Sequence, residues 1–188
     1  MKQIVLASNN KGKLAELQAM FAPLGLQLIA QAELNISEAE EPFHTFVENA
    51  LAKARHASRI SGLPALADDA GLCVDAFNGL PGVQTAFYCT QFGYEKSDDN
   101  NRRALLEQMQ NTINRRAALV STLVALRHAD DPEPLIASGR AVGEITRELR
   151  GDKGFGFDPV MFIPEMNMTF AEMSETEKNA RSHRGQAA

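Results

Sequence analysis

Asp68 and Asp69 stand side by side in Leu66-Ala67-Asp68-Asp69-Ala70-Gly71-Leu72-Cys73-Val74-Asp75. An apolar run over residues 63–67 leads in, and a second over 72–74 leads out. Adjacent carboxylates repel, and burying both raises at least one pKa unless a cation sits with them. The chemistry such a pair offers is a divalent-metal or general-base site. The same residues also suit a hairpin turn, Asp-Asp-Ala-Gly, whose aspartates satisfy backbone N–H groups. From these residues alone both readings stand.

A second chemical stretch is Ser8-Asn9-Asn10-Lys11-Gly12-Lys13. It lies between an apolar run at 4–7, read as a buried strand, and a helical pattern of Leu14, Leu17, Met20 and Phe21. A loop entering a helix presents unpaired N–H groups and the positive end of the dipole, which suits phosphate. Lys11 and Lys13 add charge, and Ser8 and Asn10 add neutral donors. The Walker spacing is absent. An ordinary Asn-rich connection with solvated lysines explains the same residues.

Lys53 is the third candidate. A helix is predicted from Pro42, because proline suits a first turn and Glu40 and Glu41 ahead of it favour the dipole. Its stripe is Phe43, Phe46, Val47, Ala50, Leu51, Ala54, Ala57 and Ile60. Lys53 follows Phe46 by seven residues and so lies within about 20° of it around the helix. A lysine on an inward stripe either snorkels out or meets an anion. Asn49 flanks the same stripe.

The remaining signals are aromatic and basic. Gly154-Phe155-Gly156-Phe157-Asp158-Pro159 alternates glycine with phenylalanine. Its rings suit stacking on a nucleobase, with Asp158 accepting from a base edge, or equally a tight turn packed into the core. In the tail, Ser174 with Glu177 forms a capping box. Lys178 and His183 would point about 140° apart on one continuous helix, so convergence needs a break, which Ser182 supplies as a new N-cap.

These residues need a scaffold of strands and helices. Strands are expected at 26–30, at 63–67 and 72–76 on either side of the aspartates, at 117–126, 135–142 and 143–149, and at 160–163. Residues 128–134 read as a hairpin turn, and Asp98 as the N-cap of a helix reaching Met109. Residues 85–94 resist assignment. The 188 residues suffice for one sizeable domain or two small lobes. The apolar fraction of 44% and charged fraction of 23% are those of a folded soluble protein. A net charge of −5 argues against nucleic-acid or anionic-membrane partners. Cys73 and Cys89 lack metal-ligand spacing and read as reduced thiols of a cytoplasmic protein. Nothing reaches transmembrane length, and the N-terminus lacks a signal-peptide core.

Five ordered motifs together resemble one family, inosine triphosphate pyrophosphatase. They are Ser8-x-Asn10-x-x-Lys13; Phe46-Val47-Glu48-Asn49-Ala50 with Lys53; Ala67-Asp68-Asp69-x-Gly71-Leu72; Gly154-Phe155-Gly156-Phe157-Asp158-Pro159; and Glu177-Lys178-Asn179-x-x-Ser182-His183-Arg184. The resemblance spans residues 4–184. It implies an α/β fold, with a mixed elongated central sheet, flanking helices and two lobes around a deep cleft, the whole of 1–188 forming one domain. It implies Mg²⁺, a homodimer, and hydrolysis of ITP, dITP or XTP to monophosphate and pyrophosphate. By this resemblance Ser8, Asn9, Asn10, Lys11, Gly12, Lys13 and Lys53 hold phosphates. Asp69 is metal ligand and base, helped by Asp68 and by Glu40 or Glu41. Phe155, Gly156, Phe157, Asp158, Lys178, His183 and Arg184 hold base and sugar.

Four departures stand out against the family pattern. Ala70 replaces a serine in the substrate site, Phe87 an arginine, and Phe157 a tyrosine, and the chain stops at Ala188 where relatives continue a helix. A Maf-like pyrophosphatase with another base preference, or a nucleotide-binding protein with weakened catalysis, are the alternatives that these departures leave.

Overall fold

The computed structural model describes residues 2–188. Seven strands form one mixed sheet in the order β2-β1-β3-β4-β5-β6-β7. They are β1 Lys2–Leu6, β2 Leu26–Ala30, β3 Ala65–Val74, β4 Arg116–Leu126, β5 Leu135–Ile145, β6 Met161–Ile163 and β7 Met168–Thr169. β1 is parallel to β2 and to β3, with Leu6 opposite Leu66. β6 is antiparallel to β5 and to β7. The helices are α1 Lys11–Phe21, α2 Phe46–Ser61, α3 Asp98–Gln108, α4 Glu175–Arg181 and α5 His183–Ala187.

The chain divides into two compact units. The first takes residues up to Asp69, Ser121–Gly139 and Arg184–Ala188. It has two apolar layers. One is built from small side chains, with Ala50, Ala54 and Ala57 of α2 against Val5, Ala7, Ala65, Ala67 and Val124. Short side chains let the helix lie close to the strands. The other joins Leu17 of α1 to Leu6, Leu28, Leu66, Leu123 and Ala187. The second unit takes Ala70–Val120 and Arg140–His183. Its larger core collects Leu72, Val74, Leu105, Met109, Leu119, Ile145, Phe157, Met161 and Phe170.

Several expectations are corrected. β3 runs unbroken through Asp68 and Asp69 and is buried along nearly its whole length, so the hairpin reading and the two separate strands both fail. Near-continuous burial is what a strand covered on both faces requires. α2 begins at Phe46, not Pro42. Thr45 caps it, accepting from Glu48 N and donating to Glu48 Oε2. Phe43 is held outside the helix because the buried Asn49 amide bonds both its N–H and its C=O, each at 3.1 Å. Glu40 and Glu41 therefore lie on an irregular segment outside the helix, where the dipole does not explain them. α3 is capped by Ser97 rather than Asp98, with Asn100 N 3.0 Å from Ser97 Oγ. β5 is one strand where two were expected. Gly143 does not break it; the glycine admits a close approach of the Phe162 carbonyl, where a Cβ would collide. Residues 82–92 form a long 3₁₀ segment.

Candidate active site

Side chains of successive strand residues point to opposite faces of a sheet. The Asp68 and Asp69 carboxylates therefore leave the strand on opposite faces, while Lys13 and Lys53 both reach the Asp68 carbonyl, at 3.4 and 3.0 Å. Asp68 lies on the Leu66 side, with α1 and the chain's last residues. Asp69 lies on the Ala65–Ala67 side, with α2.

Asp68 is fully buried and saturated with donors. Ser121 Oγ donates to Oδ1 at 2.5 Å. Lys13 Nζ lies 3.0 Å from Oδ2, and Arg184 donates to the same oxygen from Nε at 3.2 Å and Nη2 at 2.9 Å. Burial opposes its charge, but Lys13 and Arg184 outweigh that and hold the carboxyl far below the usual range. Arg184 is itself only 2% exposed and reaches Glu16 at 2.6 Å through Nη1. Burial is the larger influence on Lys13 and pushes its ammonium below the ordinary lysine value.

Asp69 is the opposite case. Lys53 Nζ lies 3.1 Å from its Oδ1 and 2.6 Å from Glu41 Oε1, and also bonds the Asp68 carbonyl at 3.0 Å. The inward lysine thus meets anions rather than snorkelling away. Asp69 Oδ2 is buried and takes no hydrogen bond among the described residues. Burial raises the Asp69 pKa against the pull of Lys53. Burial also works to lower Lys53, but Asp69 and Glu41 outweigh it and raise it. Glu40 is exposed and Glu41 is the acid that Lys53 engages. The segment carrying both is tied down by Asn9 to Glu38 at 3.1 Å and by the His56 ring to Ser37 O at 2.9 Å.

The loop before α1 is built as its sequence suggests. Asn10 caps the helix, its Oδ1 accepting from Lys13 N at 3.0 Å, and Ser8 Oγ accepts from Asn10 N at 3.1 Å. The first-turn amides of Lys11 and Gly12 have no intrahelical partners, as at any helix start. Lys11 is exposed; Lys13 is drawn inward to Asp68.

In the second unit the two phenylalanines divide the readings between them. Phe157 is buried in the core, where a ring without a hydroxyl needs no hydrogen-bond partner. Phe155 is half-buried, with Lys178 Nζ 4.7 Å from its ring centre. Asp158 Oδ2 accepts from Lys178 Nζ at 2.6 Å and from Phe155 N at 2.9 Å. Gly154 has φ +71°, and a Cβ there would run into Asp158 Oδ2. Gly154→Ala is expected to destabilise the protein by about 1–2 kcal/mol from backbone strain alone. The thermal unfolding midpoint measures it, and an unchanged midpoint would refute the strain. Ser182 is extended between α4 and α5, so the required break falls there, and His183 is buried at the start of α5. Ala70 is half-buried in β3. Phe87 is largely exposed beneath the Lys96 ammonium.

Sequence reasoning missed Glu16 and Ser121, the partners of Arg184 and Asp68. A signal existed for one of them. Ser121 interrupts the strongest apolar run of the chain, and a hydroxyl there is buried only with a partner.

The Ham1 family model matches residues 4–188. A dITP/XTP pyrophosphatase of Albidiferax ferrireducens is 75% identical over 99% of this chain and 94% of its own length. That of Paracidovorax citrulli is 72% identical over the same shares. Among solved structures, a HAM1 protein from Coxiella burnetii superposes with a TM-score of 0.89 at 44% identity, over 100% of this chain and 94% of that one. The Staphylococcus aureus Ham1 protein gives 0.84 at 36%, over 99% and 94%. With this match over almost its entire length, the chain belongs to the Ham1 family.

Proposed function

We propose that this chain hydrolyses non-standard purine nucleoside triphosphates (ITP, dITP and XTP) to the monophosphate and pyrophosphate. It is a nucleoside triphosphate pyrophosphohydrolase, as its relatives at over 70% identity are dITP/XTP pyrophosphatases. The observation that carries the mechanism is the buried Asp69 carboxylate, with one oxygen on Lys53 and the other without a donor among the described residues.

Asp69 and Glu41 suit a hard cation, since both are carboxylates converging on the single ammonium of Lys53, and Asp69 Oδ2 has capacity to spare. No group of three His, Cys, Asp or Glu side chains forms a metal cage among the described residues. Mg²⁺ suits such a site, because it keeps waters and takes phosphate oxygens beside one or two carboxylates. Bound there, it supplies Lewis-acid neutralisation of phosphate charge. Glu40 stands by as a further acid on the same segment.

Asp69 accepts the proton of the attacking water, whose oxygen bonds the α-phosphorus as the α–β bridging bond breaks. Its raised pKa makes it a stronger base than an exposed aspartate. Lys53, and Lys13 with the amides at the start of α1, neutralise charge on the pyrophosphate leaving group. Phe155, Asp158, Lys178 and His183 hold the base and sugar. Arg184, engaged by Asp68 and Glu16, acts as a positioning residue for Lys13.

Two further assignments are ours. A homodimer follows from the family resemblance, and Leu80, Phe87 and Phe92 are among the exposed apolar side chains that a partner would cover. The free Cys73 and Cys89 support a reducing, cytoplasmic setting. No helix among the described residues is long and apolar enough to cross a membrane.

The test is a panel of triphosphates with Mg²⁺, read by pyrophosphate release. ITP, dITP and XTP are expected to exceed ATP and GTP in kcat/KM by about 100-fold or more, the discrimination that buried polar partners can supply. Equal rates on all five would overturn the assignment.

A further inference from the structure

We propose that Asp98 and Arg102, on the first turns of α3, are specificity-positioning residues that set the pitch of the Phe155 ring by clamping the backbone of Gly156. The proposal rests on reading the 154–158 loop as the base-binding loop. Gly156 N donates to Asp98 Oδ2 at 2.9 Å, and Arg102 Nη1 donates to Gly156 O at 2.5 Å. Both polar groups of one residue in the aromatic loop are thus held from a single helix. Asp98 and Arg102 are four residues apart, so they share a helix face.

The clamp is itself held firmly. Arg102 pairs with Asp99 through Nη2, and its side chain is 13% exposed. The buried Asn101 ties α3 to the 3₁₀ segment, accepting from Cys89 N at 2.9 Å and donating to Ala86 O at 3.0 Å. Ala104, Leu105 and Met109 carry the helix into the core. The loop is a single tight turn, closed by Asp158 N on Phe155 O at 3.2 Å. Gly154 and Gly156 are both left-handed, with φ +71° and +59°. Phe157 is anchored in the core on one side of Gly156, and Phe155 follows whatever orientation that backbone takes on the other. The bonds from Asp158 to Phe155 N and Lys178 fix the loop's far side. The Gly156 backbone lies inside that turn, and α3 holds it from outside through both of its polar groups.

A residue that orients a base-stacking ring acts on binding before chemistry, so its loss appears in KM. Arg102→Ala and Asp98→Ala are each expected to raise KM for ITP and XTP about tenfold, the scale of one charge-assisted hydrogen bond, with kcat within about twofold. The inhibition constant of pyrophosphate, which lacks a base, is expected to stay at the wild-type value. Asp98→Asn keeps an acceptor for Gly156 N and is expected to restore most of the KM that Asp98→Ala loses. Phe155→Ala is measured alongside. If Phe155→Ala raises KM while Arg102→Ala and Asp98→Ala do not, the clamp is overturned and the base-loop reading survives. If Phe155→Ala also leaves KM unchanged, both fall. If the α3 variants lose kcat, KM and pyrophosphate binding together with a lowered unfolding midpoint, and Asp98→Asn rescues nothing, the residues are merely structural and the proposal is overturned.

Discussion

Asp69→Asn is expected to lower kcat on ITP by about 10²–10⁴-fold, the usual contribution of a general base, while leaving the folded protein as stable as before or slightly more so. The two halves of that expectation have one cause. Burial lifts the Asp69 pKa above its ordinary value, so the ionised carboxylate is disfavoured in the folded state. An acid whose folded pKa is raised contributes its stability below the unfolded pKa and loses it as pH rises through the folded pKa. At neutral pH the charge that serves catalysis therefore opposes folding. Asparagine keeps the shape and an oxygen for Lys53, which retains Glu41 as a counter-charge. Pyrophosphate release and thermal unfolding, measured on the same preparation, check both halves. Near-normal turnover would remove Asp69 from the mechanism, and a large drop in the unfolding midpoint would refute the electrostatic argument.

That contrast between neighbours was half-legible in the sequence. Leu66-Ala67-Asp68-Asp69 advertises a carboxylate pair in apolar surroundings, and the chemistry of a buried pair follows from composition. What the run cannot disclose is that one uninterrupted strand carries it, because Gly71 and the aspartates also write a plausible turn. Once the strand is continuous, its two-residue period separates the carboxylates and gives them different partners. The Lys53 stripe and the Asn10 cap were legible because helical periodicity and capping are local. The start of α2 was not, since the Asn49 clasp on the Phe43 backbone is a contact that no propensity encodes. Gly143 misled for a related reason: glycine in a strand reads as an end, and here it marks the approach of β6. Arg184 and Glu16, far apart in sequence, meet only through tertiary packing.

Asp68→Asn is expected to do the reverse of its neighbour's substitution and strike the fold first. Its carboxylate is the common acceptor for Ser121, Lys13 and Arg184. Asparagine offers one acceptor oxygen and turns an N–H₂ toward donors, so Lys13 loses its buried counter-charge while Arg184 keeps Glu16. Breaking a buried pair from one side costs about 3–5 kcal/mol, which is about 10 °C in unfolding midpoint for a chain of this size. Lys13 is already held below its usual pKa by burial and without Asp68 gives up its proton more readily, so phosphate binding weakens as well. The sign of the pH dependence provides an independent check. The folded Asp68 pKa is depressed, so its stabilisation is present above the unfolded value near 4 and fades as pH falls toward the folded one. Wild type should lose stability below about pH 5, and the gap to Asp68→Asn should narrow there. A gap that stays constant from pH 7 to pH 3 would show that shape rather than charge makes Asp68 important. Because Asp68 and Arg184 touch, adding Arg184→Gln to Asp68→Asn should be less damaging than the sum of the two, by about 1–3 kcal/mol. Strict additivity would place Arg184 outside the network and return it to the substrate.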